Sequence, residues 1–88
     1  MNRKLYVGNL PYQVDEEWLR ILFTQVGVVD TVAVSRDRAT GRARGFAYVE
    51  MSTEGEAIDA VRQFNSRDLG GRAITVTEAR PHDDRGKN

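Results

Sequence analysis

The sequence contains no cysteine and only one histidine, His82. The lack of cysteine excludes disulfide bonds, thiolate nucleophiles and every cysteine zinc site. A single histidine in a polar segment supplies at most one metal ligand, so we expect neither a metal site nor a cofactor. The missing disulfides fit a reducing, cytoplasmic setting.

Long apolar segments are also absent. No run approaches the roughly 18 apolar residues of a membrane-spanning helix, and residues 1–4 lead into a short apolar stretch without a signal sequence. We therefore expect a soluble protein with no membrane association. The 88 residues suffice for one small domain, which has to use nearly all its apolar residues in a single core. A deep catalytic cleft does not fit in that length, so no enzymatic activity is expected.

The formal net charge is zero, because 13 Lys and Arg residues balance 13 Asp and Glu residues. This balance differs from the basic domains that usually bind nucleic acids. The charges are nevertheless segregated along the chain. Residues 36–44 hold four arginines and one acid, whereas residues 15–17 and 54–59 are acidic.

Alternation of apolar and polar residues predicts four strands. These strands cover residues 4–8, 28–35, 45–51 and 73–79. Between the second and third strands, turn residues at Thr40 and Gly41 indicate a long hairpin loop over residues 36–44. Residues 65–72 are predicted to be a loop that ends in two glycines.

Two further segments carry apolar residues at i, i+3, i+4 and i+7, the spacing of a helix that packs on a core. They cover residues 15–26 and 54–64. Asp15 is the expected N-cap of the first helix and Gly27 its expected C-cap. Thr53 and Glu56 form a capping-box pattern at the start of the second helix.

The order β-α-β-β-α-β predicts an α+β fold in which two helices cover one face of a four-stranded antiparallel sheet. The domain is expected to span residues 1–81, before a polar, disordered tail at 82–88. Because the apolar side of each strand must face the helices, alternation also assigns the open face. Tyr6, Phe46 and Tyr48 fall on that face. A contiguous aromatic patch is typical of a binding surface, and the alternative is that the rings serve as cross-strand packing pairs.

Two segments resemble the signatures of the RNA-recognition motif family. Residues 44–51 have the sequence RGFAYVEM, which is similar to the eight-residue signature of the family. Residues 5–10, LYVGNL, resemble its six-residue companion in the first strand. The resemblance covers residues 3–81 and implies the ferredoxin-like βαββαβ sandwich. It also implies a small single-motif RNA-binding protein similar to those of bacteria.

The implied partner is single-stranded RNA, or single-stranded DNA, since stacking platforms accept both. Tyr6 and Tyr48 would each stack one base, and Phe46 would wedge against a sugar or between two nucleotides. Arg44 would pair with phosphate. The other implied contact residues lie in the signatures, the hairpin loop and the sheet edge: Gly8, Asn9, Arg36, Arg38, Arg42, Lys4, Thr75, Thr77, Ala79 and Arg80.

Three residues depart from the signature or weaken it. Tyr48 stands in place of phenylalanine but keeps the aromatic ring. Met51 stands where the family prefers an aromatic residue, but alternation places it on the core side. Glu50 faces the ligand side and adds repulsion toward phosphate. The remaining arginines are expected to be surface residues without a role: Arg3, Arg62, Arg67 and Arg72.

Other functions stay open on the sequence. A protein-interaction module of the same fold would use either the sheet aromatics or the helix face around Trp18. We expect Trp18 to be partly buried in the core, and the alternative is an exposed patch with Ile21. An enzyme or metal carrier of this plan would need an anion-binding arginine or a cysteine pair in residues 9–13, which hold neither. The protein is expected to be a monomer.

Overall fold

A computed structural model of the chain describes residues 2–79. Its elements are β1 (Lys4–Gly8), α1 (Glu16–Thr24), β2 (Val29–Arg36), β3 (Ala43–Met51), α2 (Glu54–Phe64), β4 (Asp68–Leu69), β5 (Arg72–Ala73) and β6 (Thr75–Glu78). The predicted strands and helices agree with these bounds to within about two residues. The predicted tail at 82–88 and the predicted contact residue Arg80 lie outside the described residues.

Four strands form one antiparallel sheet in the order β2-β3-β1-β6. The strands that carry the aromatic residues, β1 and β3, are therefore the two central ones. Tyr6 lies opposite Tyr48 on one side and opposite Thr77 on the other. Both central strands are hydrogen-bonded along both edges, which holds the backbone beneath the aromatic side chains.

The core lies between the sheet and the two helices. Helix α1 buries Leu19, Leu22 and Phe23, and α2 buries Ala57, Ala60 and Phe64. The rings of Phe23 and Phe64 meet edge-to-face with centroids 4.9 Å apart. The inward residues of the central strands are fully buried against them: Leu5, Val7, Ala47, Val49 and Met51. This arrangement confirms the predicted fold class, including the placement of Met51 on the core side.

Neither helix, within the part of the chain that the structure describes, is long and apolar enough to cross a membrane. Both helices begin at their predicted caps. The Asp15 carboxylate accepts a hydrogen bond from the Trp18 amide at 2.9 Å, and the Thr53 hydroxyl accepts one from the Glu56 amide at 3.1 Å. The Glu56 carboxylate accepts a hydrogen bond from the Ser52 hydroxyl, which lowers the pKa of Glu56.

Gly27 is not the C-cap that its position predicted. Helix α1 ends at Thr24, with Gln25 as a C-cap of ordinary helical φ, −65°. A Cβ on Gly27 would lie 2.5 Å from the Cγ and Cδ atoms of Glu56. The missing side chain therefore leaves space for the Glu56 side chain at the start of α2.

The loop predicted over residues 65–72 contains a two-stranded hairpin formed by β4 and β5. Gly70 and Gly71, which separate the two strands, have φ values of 61° and 89°. Two consecutive residues with positive φ are the feature of a type I′ hairpin turn. The glycine pair thus marked a hairpin, which the loop prediction missed because each strand has only two residues.

Strand β3 carries a bulge at the start of the eight-residue signature. Val34 of β2 pairs with Ala47 of β3, and Arg36 of β2 pairs with Ala43. The interval is longer on β3 than on β2, so β3 contains extra residues there. Gly45 lies in this interval with a φ of 92°, a conformation that strains any residue with a Cβ. Gly45 is therefore required by the backbone.

We expect Gly45→Ala to lower the free energy of unfolding by about 1–2 kcal/mol, because alanine is strained at this φ. Gly55→Ala is the matched control. Gly55 lies in α2 without positive φ, and a Cβ there would meet only the Thr53 hydroxyl, at 3.9 Å. We expect this second change to raise stability by about 0.5–1 kcal/mol. Urea unfolding of both variants checks the pair, and equal changes would contradict the strain at Gly45.

Candidate nucleic-acid interface

Three aromatic rings form one cluster on the open face of the sheet. The Tyr6 ring lies 5.8 Å from the rings of both Phe46 and Tyr48, and those two are 6.1 Å apart, centroid to centroid. All three side chains are half-buried, because each covers part of the next. The sequence prediction of a contiguous aromatic patch facing away from the core is confirmed.

Gly8 leaves space for one ring of this cluster, because it has no side chain. It lies on the same face as Tyr6, and a Cβ on Gly8 would fall 2.7 Å from two atoms of the Tyr6 ring. The family resemblance implies that Gly8 is a contact residue, where a missing side chain would let a base approach the strand. The structure shows a different consequence of the missing side chain, which is that the Tyr6 ring leans over the strand and covers Gly8.

Two predicted cations stand over the rings. The Lys4 ammonium nitrogen is 5.2 Å from the centroid of Tyr48, and the Arg44 guanidinium carbon is 5.9 Å from that of Phe46. Both distances allow cation–π attraction. The aromatic cluster is therefore flanked by positive charge at two of its corners.

Glu50, the acid on the open face, is neutralised by a residue to which the sequence assigned no role. The Arg3 guanidinium contacts the Glu50 and Asp30 carboxylates, each at 3.0 Å, and donates to the Met51 carbonyl at 3.0 Å. The repulsion that Glu50 was expected to exert on phosphate is thereby reduced. The contact forms because the pairing of β1 with β3 brings Arg3 to the end of β3, and the sequence pattern alone did not indicate it.

One of the predicted loop arginines is already paired. Arg36 donates to the Glu16 carboxylate of α1 at 2.7 Å. A backbone hydrogen bond at Glu16 itself and the bond from Arg36 lower the pKa of that carboxyl. Glu16, in the first turn of α1, thus reaches the outer edge of the sheet and pairs with one of its cations.

The other arginines of the loop, unlike Arg36, have no carboxylate partner among residues 2–79. These are Arg38, Arg42 and Arg44. Asp37, the acid of the loop, accepts hydrogen bonds from the amides of Ala39 and Thr40 at 2.8 and 3.2 Å, which order the loop. The side chains that keep their charge available are thus those nearest the tip of the loop and the start of the signature.

The predicted residues of the β6 edge separate into two groups. Thr75 and Thr77 are exposed on the open face. Ala79 is buried, its amide donates to the Lys4 carbonyl at 2.9 Å, and its carbonyl accepts from the Asn2 side chain at 2.6 Å. Both backbone groups of Ala79 are thus bonded within the protein, although its carbonyl oxygen can accept a second hydrogen bond. The contact of Ala79 with RNA stays a prediction.

Asn9 links β1 to the small hairpin. Its side-chain amide donates to the Ala73 carbonyl, and its carbonyl accepts from Arg72, both at 3.0 Å. The Arg72 guanidinium also lies 5.9 Å from the ring centroid of Tyr12, an exposed residue that the sequence interpretation treated only as part of a loop. The signal that could have found Tyr12 is an aromatic residue directly after Pro11, at a turn.

The prediction that Trp18 is partly buried in the core is wrong. Helix α1 turns Leu19 and Phe23 inward, which leaves Trp18 outside the core cluster with 39% of its surface exposed. Ile21, one turn further along the helix, is 62% exposed. The alternative of an exposed Trp18 and Ile21 pair describes the helix better.

Comparison with known proteins agrees with the family resemblance of the two signatures. The model of the RNA recognition motif family matches residues 5–75. The chain is 50% identical over 82 residues to the chloroplastic 28 kDa ribonucleoprotein of Nicotiana sylvestris. The aligned region covers 93% of this chain and 30% of that protein. The chain is 43% identical to the putative RNA-binding protein RbpB of Nostoc sp., over 93% of this chain and 80% of the relative. The chain thus spans about a third of the chloroplast relative and most of the Nostoc one.

Solved structures agree with this result. The crystal structure of RNA Binding Protein PG1 superposes with a TM-score of 0.85 at 44% identity, over 89% of this chain and 94% of that one. The structure of the Rna15 RRM with bound RNA (GU) gives a TM-score of 0.82 at 32% identity, over 90% and 84% of the two chains.

The contact between Glu16 and Arg36 predicts a pH-dependent contribution to stability. Because folding lowers the pKa of Glu16, the contribution is present above the ordinary value of 4.5 and is lost as the pH falls through the folded value. We expect Glu16→Gln to cost less than about 1 kcal/mol at pH 7, since the pair is exposed, and to cost nothing in strong acid. Urea unfolding at both pH values measures this difference.

Glu17→Gln is the matched control, because Glu17 lies in the same first turn of α1 and makes no salt bridge within residues 2–79. It removes the same charge near the helix N-terminus while leaving Arg36 paired. Equal losses of stability in the two variants would show that the helix terminus, and not Arg36, accounts for the effect.

Proposed function

The chain belongs to the RNA recognition motif family, and from this premise we propose that it binds single-stranded RNA on the open face of its sheet without catalysing a reaction. The observation that carries the proposal is the cluster of Tyr6, Phe46 and Tyr48 on the two central strands, beside cations that form no salt bridge within residues 2–79. Relatives named as ribonucleoproteins and RNA-binding proteins support the binding of RNA.

The rings would bind bases by stacking. Every nucleobase has a π-face, so an aromatic platform binds single strands with little sequence preference. Tyr6 and Tyr48 each receive a base, and Phe46 wedges against a sugar or between two nucleotides. The half-buried state of the rings supports this role, because each ring is held by its neighbours and little freedom is lost when a base stacks.

Phosphates would be contacted by the arginines that have no carboxylate partner in the described part of the chain. Arg44 lies beside Phe46, and Arg38 and Arg42 extend from the loop between β2 and β3. Arg36, which the sequence placed in the same group, is held by Glu16 and leaves the set of available cations. Three phosphate contacts are therefore expected.

Base selectivity would arise at the edge formed by β6. Thr77 lies directly opposite Tyr6 and Thr75 opposite Gly8, so both hydroxyls border the bases that stack on the cluster. Hydroxyl groups donate and accept hydrogen bonds, which suits them to several base edges. Lys4 borders the cluster on the side of Tyr48.

The balance of free energies favours moderate affinity. Three stacked groups contribute about 1–3 kcal/mol each, or roughly 3–9 kcal/mol together. Association costs about 4–15 kcal/mol, which phosphate contacts and edge hydrogen bonds must help to offset. We expect a dissociation constant of about 1 μM for a short single strand. Binding of single-stranded DNA, a monomeric state and a cytoplasmic location stay predictions.

Truncating the two tyrosines tests the proposal. We expect Tyr6→Ala/Tyr48→Ala to weaken binding of short labelled RNA by at least about 30-fold, since two stacking contacts are lost. Fluorescence anisotropy with RNA pools and matched DNA measures the effect. Trp18→Ala is the control, because it removes an aromatic side chain from the helical side of the molecule.

Removal of the rings also uncovers Gly8, so folding of each variant is checked by circular dichroism. Tyr6→Leu/Tyr48→Leu keeps apolar volume over the sheet but removes the aromatic face. Binding that survives in a folded leucine variant would contradict stacking on these rings. Loss of binding in Trp18→Ala alone would instead favour recognition through α1.

Salt dependence tests the assignment of the cations. With three phosphate contacts, the logarithm of affinity should fall with the logarithm of salt concentration at a slope of about −2. Arg42→Ala should make the slope shallower by about 0.7. Arg36→Ala is the matched control and should leave the slope nearly unchanged, because Glu16 already pairs with Arg36. Equal changes in the two variants would overturn the distinction.

A further inference from the structure

Tyr12 is an exposed aromatic residue on a well-anchored turn. The Val14 amide donates to the Pro11 carbonyl at 3.2 Å, which closes the turn around Tyr12. Leu10 and Val14, on either side of the turn, are buried in the core, while 67% of the Tyr12 surface is exposed. The ring is therefore presented to solvent by a backbone that the core holds in place.

The ring lies next to the start of the eight-residue signature. The Leu10 amide donates to the Gly45 carbonyl at 2.9 Å, which ties the turn to β3. A Cβ on Gly45 would be 3.9 Å from the Cε1 atom of Tyr12. Gly45 directly precedes Phe46 in β3, so the Tyr12 ring lies near the same end of that strand as Phe46.

A groove connects Tyr12 with the loop between β2 and β3. Its lining includes Arg42 and Arg44, together with Asp37. The Asp37 carboxylate is taken up by two backbone amides of its own loop, whereas neither arginine forms a salt bridge within residues 2–79. Arg72, which Asn9 holds by a hydrogen bond, adds a further guanidinium at the Tyr12 ring. An exposed ring and three guanidinium groups are complementary to a base and its phosphates.

We propose that this groove is a further nucleotide subsite, in which a base stacks on Tyr12 and Arg44 pairs with the phosphate that links it to the nucleotide at Phe46. The inference rests on the proposed function, since the strand must first lie on the three-ring cluster. It extends that function, because a bound strand continues past the bulge at Gly45 and one more base is held outside the two signatures. Arg44 contacts both regions, as it stands over Phe46 and lines the groove.

An RNA length series with Tyr12 variants tests the subsite. Homopolymeric RNAs of increasing length, from three nucleotides upward, are titrated against the wild type, Tyr12→Ala and Tyr12→Phe. We expect Tyr12→Ala to bind the longer RNAs about 5- to 100-fold more weakly, while binding of the trinucleotide is unchanged. Tyr12→Phe should bind like the wild type, because stacking needs the ring and not the hydroxyl. Ile21→Ala, which truncates a similarly exposed residue on α1, is the control.

The outcomes separate this inference from the proposed function. If Tyr12→Ala binds every length like the wild type while Tyr6→Ala/Tyr48→Ala loses binding, the subsite is overturned and the proposed function stands. If neither variant changes binding, both fail. Equal weakening of trinucleotide and longer RNA in Tyr12→Ala, or a Tyr12→Phe variant as weak as the alanine one, also overturns stacking at a separate subsite. Upfield shifts of the Tyr12 ring protons with long RNA, and not with trinucleotide, would support it directly.

Discussion

The in-register pairing of β1 with β3 is the constraint on which the rest of the structure depends. Leu5, Val7, Ala47 and Val49 are fully buried on one side of these strands, so the alternating residues must point to the other. A shift of one residue in either strand would bury aromatic and charged groups and expose the core. The same apolar contacts that stabilise the sheet therefore hold Tyr6 opposite Tyr48 on its open face.

The charge distribution around that face is shaped by pairing within the protein. The chain has no net charge, yet the acids that approach the candidate interface are engaged: Glu50 by Arg3, Glu16 by Arg36, and Asp37 by amides of its loop. These contacts reduce repulsion toward a polyanion without adding cations. A neutral protein can in this way present a locally positive surface, which total charge does not reveal.

Two glycines help to form the open face of the sheet. Gly8 leaves space for the Tyr6 ring above β1, and Gly45 adopts the positive φ that the bulge in β3 requires. The bulge lies at the end of β3 where Arg44 contacts the Phe46 ring and where the Leu10 amide donates to the Gly45 carbonyl. Residues of the signatures thus act partly by placing rings and cations, and not only by contacting a ligand themselves.

The sequence by itself determined the element order, the helix starts at Asp15 and Thr53, and the face on which each strand residue lies, because those features depend on neighbours a few residues apart. Tertiary structure alone decided which polar groups meet. Arg3 and Glu50 are 47 residues apart in the chain, and Asn9 and Arg72 are 63 apart. The exposure of Trp18, the burial of Ala79 and the space needed at Gly27 likewise follow from how whole elements pack, which no local pattern encodes.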